Sequence, residues 1–226
     1  MADHWRPGLV RLFASHLAAH KAEVAAVAEA LDPYGFSTFV AHEAIDVSVQ
    51  WREEIHRALE ACDCMLVFAH PGFHDSNWTD QEVGWALGRG VPIVVLWYPG
   101  AELRGFLEQY QAIPVTPGND APSVLATKVV DVFASRTELR GQVIDGLIAA
   151  LGTAGSYVEA GHTADMLDTL GDELRRSDLI AILHCFQSND QVGGAVLANR
   201  PLRRLVERRA PDLVKEFWPS ADEPPS

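Results

Sequence analysis

The sequence predicts an α/β domain built on a parallel, doubly wound sheet, followed by a helical C-terminal region. Three observations carry that expectation. Short apolar runs alternate with amphipathic segments through the first 135 residues. Two of the runs, CMLVFAH (64–70) and PIVVLWY (92–98), are almost continuously apolar, as strands are when both faces of a sheet are covered. From about residue 136 the strand-like runs stop and helical periodicity takes over.

The elements follow in order. GLVRLFAS (8–15) reads as the first strand. AEVAAVAEALDPYG (22–35) is a helix, with Val24, Val27 and Leu31 at helical spacing and a Pro-Tyr-Gly stop. STFVA (37–41) is the second strand, and WREEIHRALEAC (51–62) a helix with Trp51, Ile55 and Leu59 on one face. The third strand, 64–70, leads into HDSNWTDQEVGWALGRG (74–90), which reads as a helix start, and the fourth strand is 92–98. A short helix near 102–108, a weak strand at AIPVT (112–116) and a helix at 122–134 complete the series. Beyond it, segments 137–151, 164–176, 178–186 and 201–210 read as helices joined by short connections such as QSNDQVGG. The expected division is 8–135 for the α/β domain and 136–218 for a helical extension or small helical domain. The polar, Pro-rich end at 219–226 is expected to be a disordered tail.

Composition narrows the function classes. Hydrophobic residues make up 48% of the 226, enough for a sizeable core. The formal net charge of −13 opposes non-specific binding to nucleic acid or anionic lipid, since both need basic surface. No nucleic-acid or membrane partner is therefore expected. Cys62, Cys64 and Cys185 are odd in number, and C-x-C spacing suits neither a disulfide framework nor a C-x-x-C pair. The N-terminal segment MADHWRPGLVRLF lacks a basic region followed by a long apolar core, and a cytoplasmic location is expected.

In an open parallel sheet, ligands bind outside the carboxyl ends of the strands. SHLAAH, HEAIDVSVQW and HPGFHDSNW, which follow the first three strands, should therefore share one crevice, with Glu82 just inside the next helix. Two readings of Glu82 compete. TDQE fits a capping box, with Thr79 as N-cap and Glu82 reaching back to its amide. Alternatively Asp75, Ser76 or Asn77 starts the helix earlier, and Glu82 lies more than a turn inside it. It then shares a face with Trp78, and desolvation beside the indole raises its pKa. On the residues alone the capping reading is the commoner one.

RLFASH, FSTFVAHEAIDVSVQWREEIHRALEACDCMLVFAHPGF and SNWTDQEVGWALGRGVPIVVLW, in that order, resemble a bacterial TIR (Toll/interleukin-1 receptor) domain over about residues 8–135. The specific combination is Ser15-His16 at the end of the first strand, the loop leading to Trp51, and Ser76-x-Trp78-x-x-x-Glu82. The resemblance implies a flavodoxin-like parallel sheet of five strands. It also implies, for members that are enzymes, cleavage of the nicotinamide–ribose bond of NAD+ by a glutamate at the position of Glu82. Other members only bind TIR domains. The product is then nicotinamide with ADP-ribose or its cyclic form, activation comes through self-assembly, and the setting is immunity against phage. The alternative is a non-catalytic interaction module, which includes interference with a host's TIR signalling. A nucleoside-acting N-ribosyl-transferring enzyme is a third reading by fold analogy.

One carboxylate is sufficient for this chemistry. Glycosidases use two because a poor alkoxide leaving group must be protonated. The nicotinamide of NAD+ is a pyridinium that departs as a neutral base, so the carboxylate has only to stabilise oxocarbenium-like charge and orient the ribose. NAD+ enters here as substrate, and no cofactor is expected.

The expected substrate-binding residues are Ser15, His16, Phe39, Asp46, Trp51, Ser76 and Trp78. Ser15 and His16 border the nicotinamide end in the family. The 40–50 loop matches the segment that closes over the site and joins subunits. Its family pattern is Glu-Asp-Ile; here Glu43-Ala44-Ile45 departs from it and Asp46 is the possible stand-in. Ser76 also suits an N-cap, and Trp51 and Trp78 also suit core packing. His16 with His20, and His70 with His74, have metal-ligand spacing without an evident third ligand, so no metal is expected. After the first strand stands SHLAAH rather than G-x-G-x-x-G, which disfavours hydride transfer; helix N-termini and arginines are left to hold the phosphates.

Overall fold

The computed structural model of the chain describes residues 5–40 and 49–217, with the side chains of 49–51 and 215–217 outside the described set. Five strands form one sheet: β1 (Val10–Ser15), β2 (Phe36–Val40), β3 (Cys64–Ala69), β4 (Ile93–Trp97) and β5 (Ile113–Pro114). All pairs are parallel, and the spatial order is β2-β1-β3-β4-β5. Helices α1 (Lys21–Leu31), α2 (Val49–Ala61), α3 (Thr79–Gly88) and α4 (Pro122–Ser135) alternate with the strands. This is the flavodoxin-like architecture that the sequence predicts.

Strand alternation sorts the core into two layers. Phe13, Met65, Val67, Ala69, Ile93 and Val95 pack with Ile55, Leu59, Val83 and Ala86 of α2 and α3. The intervening Leu12, Ala14, Leu66, Phe68, Val94 and Leu96 are equally buried. On that second face α1 packs against α4, and Phe36 of β2 meets Phe133 of α4 with centroids 5.9 Å apart. Arg11 anchors the amino end of β1 to the start of β3, donating through its main-chain N–H and its guanidinium to Asp63 at 2.6–3.0 Å. All three cysteines are free, and burial pushes the Cys64 thiol well up from its ordinary pKa.

Some elements depart from the sequence reading. β5 has only two residues; its Pro114 lacks an N–H, which restricts it to an edge. The short helix expected near 102–108 is a 3-10 turn at Gly105–Gln109. The C-terminal region is helical, in α5 (Thr137–Thr153), α6 (Tyr157–Thr169), α7 (Arg176–Ser188), α8 (Asp190–Gly193), α9 (Val196–Arg209) and α10 (Pro211–Phe217). α6 starts at 157 rather than 164 because Ser156 caps it: its Oγ accepts from the Glu159 N–H at 3.2 Å. The Glu159 carboxylate in turn accepts from the Gly155 N–H at 2.9 Å. α9 starts before Pro201, which sits inside it as a buried residue flanked by buried Ala198 and Leu202. The expected tail at 219–226 lies outside the described residues.

The chain forms two compact units, Met1–Asp32 with Phe36–Val143, and Pro33–Gly35 with Ile144–Ser226. In the second unit α6 packs on α9, and the Thr163 hydroxyl donates to the Pro33 carbonyl. Gly35 has φ +80, and a Cβ there would collide with the Gly146 carbonyl and stand 2.7 Å from the Leu147 nitrogen. Gly90 also has positive φ, +69, but faces open space. Gly90→Ala should therefore lose only the left-handed penalty of about 1–2 kcal/mol. Gly35→Ala should lose roughly 1–3 kcal/mol more through overpacking against main chain. Urea denaturation of both variants checks this; equal losses would show that Gly35 and Gly146 do not constrain each other.

Candidate functional site

The segment that leads into α3 is built from local hydrogen bonds. Gly72, with φ 85, turns the chain after β3 into a 3-10 turn at Phe73–Asp75. The Ser76 Oγ accepts from the Trp78 N–H at 3.2 Å, and the Thr79 hydroxyl donates to the Phe73 carbonyl. Trp78 is the N-cap, with no side-chain capping bond, and Thr79 is the first helical residue. The Thr79–Glu82 capping box is therefore absent, because Trp78 rather than Thr79 holds the N-cap position. Glu82, fourth in the helix, has its N–H bonded to the Trp78 carbonyl at 2.9 Å, the first i→i−4 bond.

Its carboxylate is used across the fold instead. Ser15 Oγ donates to Glu82 Oε2 at 2.6 Å, and both side chains are buried, at 0% and 5% exposure. The register explains the meeting: Ser15 follows Phe13 by two residues, so it faces the α2–α3 layer, where Val83 and Ala86 of the same helix are packed. A hydroxyl donating to a carboxylate makes a short, charge-assisted bond and fixes the carboxylate's orientation. The pair stands at the carboxyl ends of adjacent strands, where this topology binds ligands.

The other expected residues divide. His16 is buried beside Ser15, with Nδ1 3.2 Å from the Ala14 carbonyl. Ser76 serves the turn before α3, and Trp78 is half-buried at its N-cap. Phe39 stacks on Phe13 with centroids 5.5 Å apart and lies 6.2 Å from the Trp5 ring, contacts that belong to the apolar layer. Trp51 lies in α2, its side chain outside the described set, while Ile55 and Leu59 of the same stripe are buried. Asp46 lies outside the described residues. His74 Nδ1 donates to Asp80 Oδ1, 2.7 Å away, and its Nε2 accepts from the Arg104 N–H at 3.1 Å. Two open clefts of about 210 and 370 Å³ flank His74 and Arg104, and neither is lined by Ser15 or Glu82.

A second polar group gathers on the opposite face of the same edge. His70 follows Phe68 by two residues and Tyr98 follows Leu96 by two, so both turn toward the α1 side. The His70 ring lies between His20, at 3.5 Å and 6°, and Tyr98, at 3.6 Å and 22°. His70 Nε2 is 3.1 Å from Glu23 Oε2. Burial, with His20 alongside, pushes the His70 pKa down, and burial beside Glu23 pushes the Tyr98 phenol up. Sequence spacing alone missed Glu23 and Tyr98; the period-two step past each strand end is the signal that finds the cluster's strand-borne members.

A parallel sheet in the order 2-1-3-4-5, with polar side chains collected at its carboxyl edge, defines a flavodoxin-like α/β protein. Within that class the chain belongs to the TIR domain family, whose profile matches residues 12–126. The family includes enzymes that cleave NAD+, and its domains commonly self-associate. No curated protein matches the chain. No helix among the described residues is long and apolar enough to cross a membrane.

Ser15→Ala takes a hydroxyl donor from a buried carboxylate. The expected loss of stability is about 1–3 kcal/mol at neutral pH, measured by chemical denaturation with an unchanged m-value. Stability equal to wild type would mean that the pair contributes nothing to holding β1 against α3.

Proposed function

We propose that the protein is an NAD+ glycohydrolase, with Glu82 as its catalytic carboxylate. The observation that carries this reading is the buried Ser15–Glu82 hydrogen bond at the carboxyl edge of the sheet. It supports a carboxylate held in one orientation before substrate arrives, as electrostatic stabilisation requires. In the proposed reaction the C1′–N bond of the nicotinamide riboside breaks with both electrons leaving on the pyridine nitrogen. Nicotinamide departs neutral, so no acid is called for. Glu82 stabilises the positive charge that develops on the ribose, Ser15 positions Glu82, and His16 and Trp78 bound the nicotinamide end. Water then adds at C1′ and releases a proton, giving ADP-ribose; attack by the substrate's own adenine in place of water gives the cyclic product.

The 40–50 loop is proposed to join subunits, so that turnover rises with assembly. A cytoplasmic setting, where NAD+ is abundant, and a role in antiphage immunity through NAD+ depletion go with this reading. The competing reading is a TIR interaction module without catalysis. It draws on the burial of Glu82, since a carboxylate at 5% exposure is also suited to a purely structural tie.

Product analysis of NAD+ incubations separates the two. Wild type at high protein concentration should release nicotinamide, and Glu82→Ala should reduce the rate by about a hundredfold or more, with the circular dichroism spectrum retained. Folded wild type that turns over no NAD+ even in forced assemblies would eliminate the enzymatic reading. Partner binding insensitive to Glu82→Ala would then support the interaction module.

A further inference from the structure

The α1 side of the sheet edge carries a group that the proposed NAD+ chemistry does not use. We propose that His20, Glu23 and His70 form a binding site for one divalent transition-metal ion of the zinc class. The sequence offers histidines in two i, i+4 pairs, 16/20 and 70/74, neither with a third ligand. The fold recombines them: one histidine comes from each pair, and the carboxylate comes from the first turn of α1. His16 and His74 are engaged elsewhere, with the Ala14 carbonyl and with Asp80.

The spacing of the donor atoms suits such an ion. One donor atom from each of the three residues lies within 4.8 Å of the others. Glu23 Oε2 is 3.1 Å from His70 Nε2 and 3.9 Å from His20 Nδ1. Ligand atoms about 2.0–2.2 Å from a common tetrahedral centre stand roughly 3.4 Å apart, between those two values. Two imidazoles and one carboxylate are a borderline-soft donor set, which favours zinc-class ions over calcium or magnesium, and water completes the tetrahedron.

His70 is the fixed ligand. It is 4% exposed and clamped between two rings, and its Nδ1 makes no hydrogen bond among the described residues. An ion on Nε2 places the remaining ring proton on Nδ1.

The stack sets one geometric condition. Parallel rings 3.5 Å apart hold their lone pairs in separate planes, so a single ion cannot lie in both. The His20 ring must turn about its Cβ–Cγ bond, and its side chain, 34% exposed, has room to do so. Glu23, at 42%, can follow. Binding therefore converts a stacked pair into a clip between the start of α1 and the end of β3. The acidic balance of the chain, −13 overall, favours the approach of a cation.

The test uses the full chain, stripped with a chelator and titrated with Zn2+, with Co2+ as a spectroscopic probe. One equivalent should bind, Co2+ should develop visible bands of a low-coordinate N/O site, and Zn2+ should raise the melting temperature. Loss of an outer-shell partner weakens metal sites by about 10- to 100-fold, so His20→Ala and Glu23→Gln should each weaken binding at least about tenfold. Both positions are partly exposed, which keeps these variants folded; His74→Ala serves as the control that leaves affinity unchanged. Absence of saturable one-to-one binding overturns the proposal. So does binding that survives both His20→Ala and Glu23→Gln undiminished, because the ion would then sit on other histidines.

Discussion

Parallel pairing sends every strand of the sheet the same way, so the carboxyl ends of β1, β3 and β4 arrive at one edge together. Their main-chain bonds fix the register, with Ser15 opposite Val67 and Ala69 opposite Trp97. Helices cover both faces, as an all-parallel sheet requires, and the chain leaves each strand end for one face or the other. The pleat then decides which neighbours meet. Residues one step apart at a strand end turn to opposite faces, so Ser15 reaches α3 while His70 and Tyr98 reach α1. Two chemically distinct groups thus share one edge without sharing a face.

Much of this was legible in the sequence, and the physical reasons are specific. CMLVFAH and PIVVLWY read as buried strands because covering both faces leaves no polar position to blur the signal. The match of strand and helix positions to β1–β4 and α1–α4 follows from strong periodicity. Where the sequence reading failed, local chemistry was overlooked: Ser156-x-x-Glu159 is a cap signal that starts α6 seven residues before its expected start at 164. Pro201, read as a helix start, is tolerated inside α9, where the apolar stripe outweighs one missing main-chain bond.

The site was legible in part. Glu82 and Ser15 could each be singled out, but their hydrogen bond could not, since they are 67 positions apart and only the register of β1 against β3 brings them together. TDQE satisfies the capping-box pattern in letters, yet the helix starts one position earlier than that pattern needs, with Trp78 at the N-cap and Thr79 already helical. Histidine spacing was uninformative for a related reason. An i, i+4 count assumes one continuous helix, whereas residues 16–20 and 70–74 run through strand ends and turns. Spacing along the chain carries ligand information only where the backbone is regular.

The placement of Pro33–Gly35 bears on how this protein can be divided or recombined. The three residues belong to the helical unit, although the chain on either side of them belongs to the sheet. The polypeptide accordingly crosses between the units three times, at 32/33, 35/36 and 143/144. A gene fragment cut after α4 would keep the Gly35 turn but discard Gly146 and Thr163, the residues it is shaped to receive. A single junction after α4 therefore parts the Gly35 turn from the residues that pack on it. Exchange of either unit between related chains keeps that packing only if the α1–β2 turn travels with its helices.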